Sequence, residues 1–103
     1  MQNPANYFVC AINYGRLGTE ASVDPEMTWA GALEAVNEAA GDGRFVDFVH
    51  HIHDGLCQDR TQEALNATLN AIADNGEPLT PAQRDWVEHH FGIATANAFK
   101  RAA

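Results

Sequence analysis

Apolar positions along this chain switch between two periods. Residues 7–14 read YFVCAINY, a short aromatic and β-branched run followed by the glycine-bearing segment 15–18, which predicts a strand and a turn. Thr19–Val23 is the candidate return strand of that hairpin. From Trp29 the period changes. Trp29, Leu33, Val36 and Ala40 recur every three or four residues and mark one apolar helical face. Asp24-Pro25-Glu26 offers one start for this helix, with Asp24 as cap and Pro25 at the first helical position; Thr28 offers a later one. Gly41-Asp42-Gly43 ends it.

Residues 45–53, FVDFVHHIH, fit either period. As a strand they place Val46, Phe48, His50 and Ile52 on one face, and Phe45, Asp47, Val49, His51 and His53 on the other. As a helix, Phe45, Phe48, Val49 and Ile52 form an apolar stripe. Asp54-Gly55 follows, a two-residue hairpin signal, and it favours the strand reading with residues 56–60 returning. Leu65, Leu69 and Ile72 then predict a second helix over 61–74, stopped at Asn75-Gly76. Thr80-Pro81-Ala82-Gln83 combines a capping box with an early proline and opens a third, whose inward face carries Trp86, Val87, His90 and Phe91. The order β-β-α-β-β-α-α describes an α+β fold, with a small antiparallel sheet of two hairpins packed against about three helices. One compact domain spans 1–103, with 93–103 as a short terminal helix or a frayed tail.

Composition changes the picture mainly by exclusion. The 103 residues are 46% hydrophobic and 19% charged, which is enough apolar content for a core. No run of 18 apolar residues is present, so no membrane span is expected. The opening MQNPANYFVC has neither a basic leader nor a long apolar stretch, so no signal peptide is expected and the cytoplasm is the expected location. The one lysine, Lys100, is far from any glycine-rich loop, which excludes a P-loop. The one serine, Ser22, stands outside any nucleophile-elbow context. Cys10 and Cys57 form no C-x-x-C pair and are expected as reduced, partly buried thiols. Asn66-Ala67-Thr68 matches a glycosylation sequon but falls inside the second predicted helix.

The five histidines fall in two groups, His50, His51 and His53, then His89 and His90. On a strand His51 and His53 point the same way, and His89 is the candidate third ligand of a zinc site, with Asp47 or Asp59 as a fourth. On a helix, His50, His53 and Asp54 converge instead. Neither spacing is a known zinc motif. The bland alternative makes His50 a half-buried strand residue and His90 a neighbour of Trp86. Adjacent carboxylate–histidine pairs such as His53 with Asp54 diverge on either element, so no acid–base dyad is indicated. No enzyme and no cofactor are expected.

Charge is the more informative signal. The net charge is −8, and residues 20–42 hold −6 of it with no Lys or Arg, from Glu20, Asp24, Glu26, Glu34, Glu38 and Asp42. The bland reading is a solvated face that maintains solubility. The sharper reading is a surface for a protein partner with a basic face, which excludes direct binding to nucleic-acid phosphates. A small acidic domain without a catalytic motif is similar in profile to phage and mobile-element inhibitors that mimic nucleic acid, the anti-CRISPR and antirestriction classes. The alternatives are a histidine-based zinc protein and a self-associating module, a homodimer paired through an exposed sheet edge at residues 7–14.

Overall fold

A computed structural model describes residues 6–13, 19–23 and 28–99. The chain runs β1 (Asn6–Asn13), β2 (Thr19–Val23), α1 (Trp29–Asp42), β3 (Phe45–His53), β4 (Leu56–Asp59), α2 (Thr61–Asn75), α3 (Pro81–Phe91) and α4 (Ile93–Asn97). The fold class is α+β. The four strands form one antiparallel sheet in the order β2-β1-β3-β4. Both expected hairpins are present, and β1 joins them by pairing with β3. The expectation of an exposed edge at residues 7–14 is therefore corrected: β1 is central, and the edges are β2 and β4.

Local chemistry explains the boundaries. Thr28 caps α1, accepting a hydrogen bond from the Gly31 N–H at 3.1 Å. The alternative start at Asp24 lies outside the described residues. Gly43 closes the helix at φ 71°, and the Arg44 N–H reaches back to the Ala39 carbonyl at 2.8 Å. Only glycine suits this position, because a Cβ there would also sit 3.2 Å from the Cβ of Ala82. Asp54 and Gly55 both take positive φ, 51° and 76°, the geometry of a two-residue hairpin turn. Thr80 and Gln83 complete the capping box of α3. The terminal helix is limited to the five residues of α4.

One irregularity decides which side chains face which way. Ala11 pairs with Phe48, but the next β1 residue, Ile12, pairs with Val46. Asp47 is the extra residue, a β-bulge. It breaks the strict alternation expected along β3. Val46 joins Val49, His51 and His53 on the helix side, while Phe48, His50 and Ile52 remain on the other side. The predicted grouping of Val46 with Phe48, His50 and Ile52 is corrected accordingly.

The core lies between the sheet and the helices. Phe8, Cys10, Ile12, Val46 and Val49 from the sheet meet Val36 of α1, Leu65 of α2, and Trp86 and Val87 of α3. Alanines at 32, 39 and 40 let α1 approach closely; the Cys10 thiol donates toward the Ala32 carbonyl at 3.9 Å. Burial pushes the pKa of that thiol up, so it is an inert core group. The two cysteines are free, but they differ. Cys10 is buried, whereas Cys57 on β4 is exposed, a correction to the expectation of two partly buried thiols.

Candidate functional site

The acidic segment is positioned by α1. At 100° per residue, Glu34 and Glu38 project almost diametrically away from Val36, the centre of the buried face. Asp42 follows one turn later. All three are exposed, and they run along about 12 Å of helix. No ion pair joins Glu34 or Glu38 to another described residue, and Asp42 has only a 3.9 Å approach from Arg44. Of the other three predicted partner-binding residues, Glu20 lies on edge strand β2 at the register position of Ile12. Asp24 and Glu26 lie outside the described residues. The structure thus assembles half of the predicted set into one stripe.

That stripe works against the helix that carries it. Carboxylates one turn apart repel, and Glu38 and Asp42 stand near the C-terminal end, where the macrodipole disfavours negative charge. The last turn of α1 holds no basic residue.

The histidines occupy three separate environments. His51 stacks on Phe8 with ring centroids 4.4 Å apart and neighbours His53 at 4.5 Å. The His51 Nε2 lies 2.7 Å from the Asn6 side-chain oxygen. Trp29 extends the stack, 5.3 Å from Phe8, and the Arg60 guanidinium lies over its ring at 5.2 Å. Arg60 also pairs with Glu63 at 2.6 Å. Desolvation, helped by the charges of His53 and Arg60, lowers the His51 pKa below that of a free imidazole. Its Nδ1 and the Arg60 Nε are buried and find no hydrogen-bond partner among the described residues.

His50 faces the opposite side of the sheet, where it stacks on Phe48 at 4.2 Å. Its register partner on β4 is Asp59, whose carboxylate accepts from the Thr61 hydroxyl at 2.5 Å and the Thr61 N–H at 2.9 Å. Those two bonds hold the Asp59 pKa below the usual carboxylate value. Asp59 is thereby committed to starting α2. His89 and His90 lie at the other end of β3, stacked on and edge-on to Phe45. His90 Nε2 accepts the Val46 N–H at 3.1 Å, beside the bulge. Burial, with a smaller contribution from His89, pushes its pKa down to about 4.

His51 and His53 therefore meet, but His89 does not join them: Phe45, on which it stacks, lies six and eight positions from them along extended β3, about 20–26 Å. Among the described residues, no group of three His, Cys, Asp or Glu side chains is placed to hold a metal. The packing of Asn6, Phe8, Trp29 and Arg60 around His51 had no signal in the sequence, because four separate segments supply it. No family model matches the chain, and no curated protein or solved structure matches it significantly.

Proposed function

We propose that this chain is a non-enzymatic protein-binding module whose α1 carboxylates engage a basic surface on a partner. The carrying observation is the stripe of Glu34, Glu38 and Asp42: exposed, opposite the core, without counter-charges on its own helix, and placed where it costs helix stability. These carboxylates, about 6 Å apart along the axis, form a row of negative charge that a basic groove could take in place of phosphates. The specific role that suits a small acidic domain of this kind is inhibition in the cytoplasm. It would occupy a phosphate-binding groove of a host defence complex, as phage and mobile-element inhibitors of the anti-CRISPR or antirestriction class do. No described helix is long and apolar enough to cross a membrane.

The test is competition. Purified chain is titrated into DNA-loaded CRISPR effector and restriction complexes, and release of labelled DNA is followed at graded salt. The reading expects release from at least one complex, weakening steeply as salt rises. The double variant Glu34→Gln/Glu38→Gln should lose about tenfold in affinity and flatten the salt dependence. A complex bound equally well by parent and double variant, at every salt concentration, removes the acidic stripe from the mechanism.

A further inference from the structure

Of the eight asparagines in the chain, only Asn75 is followed by glycine. It is the last residue of α2, and Gly76 caps that helix in the left-handed region, at φ 72°. Both residues are exposed, and a Cβ on Gly76 would meet nothing within 4 Å. The Asn75 side chain makes no hydrogen bond to another described residue. From this placement we infer that Asn75 is a modification site: the Gly76 backbone nitrogen attacks its side-chain amide and converts it, without an enzyme, to aspartate and isoaspartate.

The reaction needs only water. The Gly76 amide nitrogen loses its proton to hydroxide and bonds to Cγ of Asn75. The Cγ–Nδ2 bond breaks, and the side-chain nitrogen takes a proton from water and leaves as ammonia. The product is a five-membered imide, which one water then opens. Breaking the N–Cγ bond restores the ordinary main chain and leaves aspartate. Breaking the bond from the nitrogen to the Asn75 main-chain carbonyl leaves the main chain running through Cγ, as isoaspartate. One water enters, one ammonia leaves, and nothing is oxidised or reduced.

The surroundings of the other asparagines show why the site is Asn75. The side-chain oxygens of Asn37, Asn66 and Asn97 are held by Thr68, Gln62 and Arg84, and that of Asn6 by His51. Asn13 pairs on both sides within the sheet, with Thr19 and Phe45. Asn70 stands inside α2, where the next N–H is fixed in the helical ladder and the Cβ of Ala71 hinders ring closure. Asn3 precedes Pro4, whose nitrogen has no proton to lose. The Gly76 N–H, by contrast, keeps a single bond, to the Ala73 carbonyl at 3.2 Å. Helix ends fray before helix centres, and without a Cβ the glycine nitrogen swings onto Cγ with the least hindrance.

The new carboxylate arrives where α2 tolerates it least. Asp74 and Glu77 already stand at the negative end of the helix dipole, and the last turn holds no basic residue. Isoaspartate also adds a methylene to the main chain just before Gly76, which displaces the left-handed cap from the carbonyl it serves. The end of α2 therefore loosens as the chain ages.

Ageing the purified chain in mildly alkaline buffer tests the inference, with isoelectric focusing and mass spectrometry of the tryptic peptide 61–84 as readouts. A more acidic isoform should accumulate over days, faster at higher pH because hydroxide removes the Gly76 proton. The change should map to residue 75 as two products of equal mass, isoaspartate the more abundant, and the aged chain should melt at a lower temperature than fresh chain. Asn75→Gln, whose longer side chain closes the ring poorly, should fold as the parent does by circular dichroism and lose the acidic isoform altogether. Asp42-Gly43 and Asp54-Gly55 can close the same ring, but they expel water and gain no charge, so focusing does not register them. A parent that stays unconverted overturns the inference, as does conversion that maps to Asn66 or Asn70 and continues in Asn75→Gln. None of these outcomes bears on the α1 carboxylates, so the competition experiment stands or falls separately.

Discussion

The two faces of the sheet are built from the same strands and the same residue types, yet they lead different lives. On the helix side, Phe8, Cys10 and Val49 are covered by α1, α2 and α3 and belong to one cluster centred near Trp86 and Val36. On the open side, Tyr7, Val9, Phe48 and Ile52 alternate with them along the same strands and stay half-buried. Hydrophobicity alone does not separate the two sets. What separates them is strand alternation, with the bulge at Asp47 adding Val46 to the core side, and the packing of the helices against that side.

The largest effects should sharpen that contrast. Trp86 is fully buried, so Trp86→Ala should cost about 3–5 kcal/mol, a large share of the stability of a domain this size. Phe48→Ala removes a comparable apolar ring from the open face, where it is partly exposed, and should cost the isolated monomer less, about 1–2 kcal/mol. Urea denaturation at low micromolar concentration measures both. Equal costs would mean that something covers the open face even in the monomer, and the comparison between the two sides would collapse.

A middle-sized effect tests the join between α3 and β3. The His90 ring accepts the Val46 N–H and is neutral when folded, with a pKa of about 4 against an ordinary value near 6.5. The unfolded chain binds the extra proton between those values. Stability from this residue is therefore complete above about pH 6.5 and declines as pH falls toward 4. With partial exposure taken into account, the loss should be about 1–2 kcal/mol. His90→Gln should be less stable at pH 7 but should show a flatter stability profile between pH 6.5 and 4. A parent profile that is level across this window would show that His90 is not held neutral by the fold.

Much of the architecture was legible because short-range chemistry specifies it. The Thr80 capping box, the Asp54-Gly55 turn and the glycine stop at Gly43 are local signals, and each element they bound is present. Strand order and the side-chain register of β3 were not legible. The bulge at Asp47 arises where β3 pairs with β1, more than thirty residues earlier, and one inserted residue re-aims Val46 into the core. The same limit applied to the sites. Glu34 and Glu38 could be aligned from helical spacing alone, whereas the separation of His89 from His51 depends on where α3 docks along β3. Strand alternation alone puts Phe48, His50 and Ile52 on one face, but which face the helices cover is not written locally, because exposed and buried apolar residues look alike in sequence.

The smallest effect distinguishes a carboxylate kept for solubility from one kept for a partner. Glu38 stands one turn from both Glu34 and Asp42 and faces the negative end of the α1 dipole. Glu38→Gln should therefore stabilise the chain by about 0.3–0.5 kcal/mol at low ionic strength, a rise of about 2 °C in Tm, and the gain should vanish in about 1 M salt. The same variant should bind a basic partner more weakly, also in a salt-dependent way. Opposite signs for stability and binding are what a functional carboxylate predicts, because the position is then retained despite its cost to the helix. A solvated surface residue predicts the stability gain with no binding change. If Glu38→Gln instead destabilises the chain, its carboxylate has a favourable partner within the fold and does not belong to a stripe held for a partner.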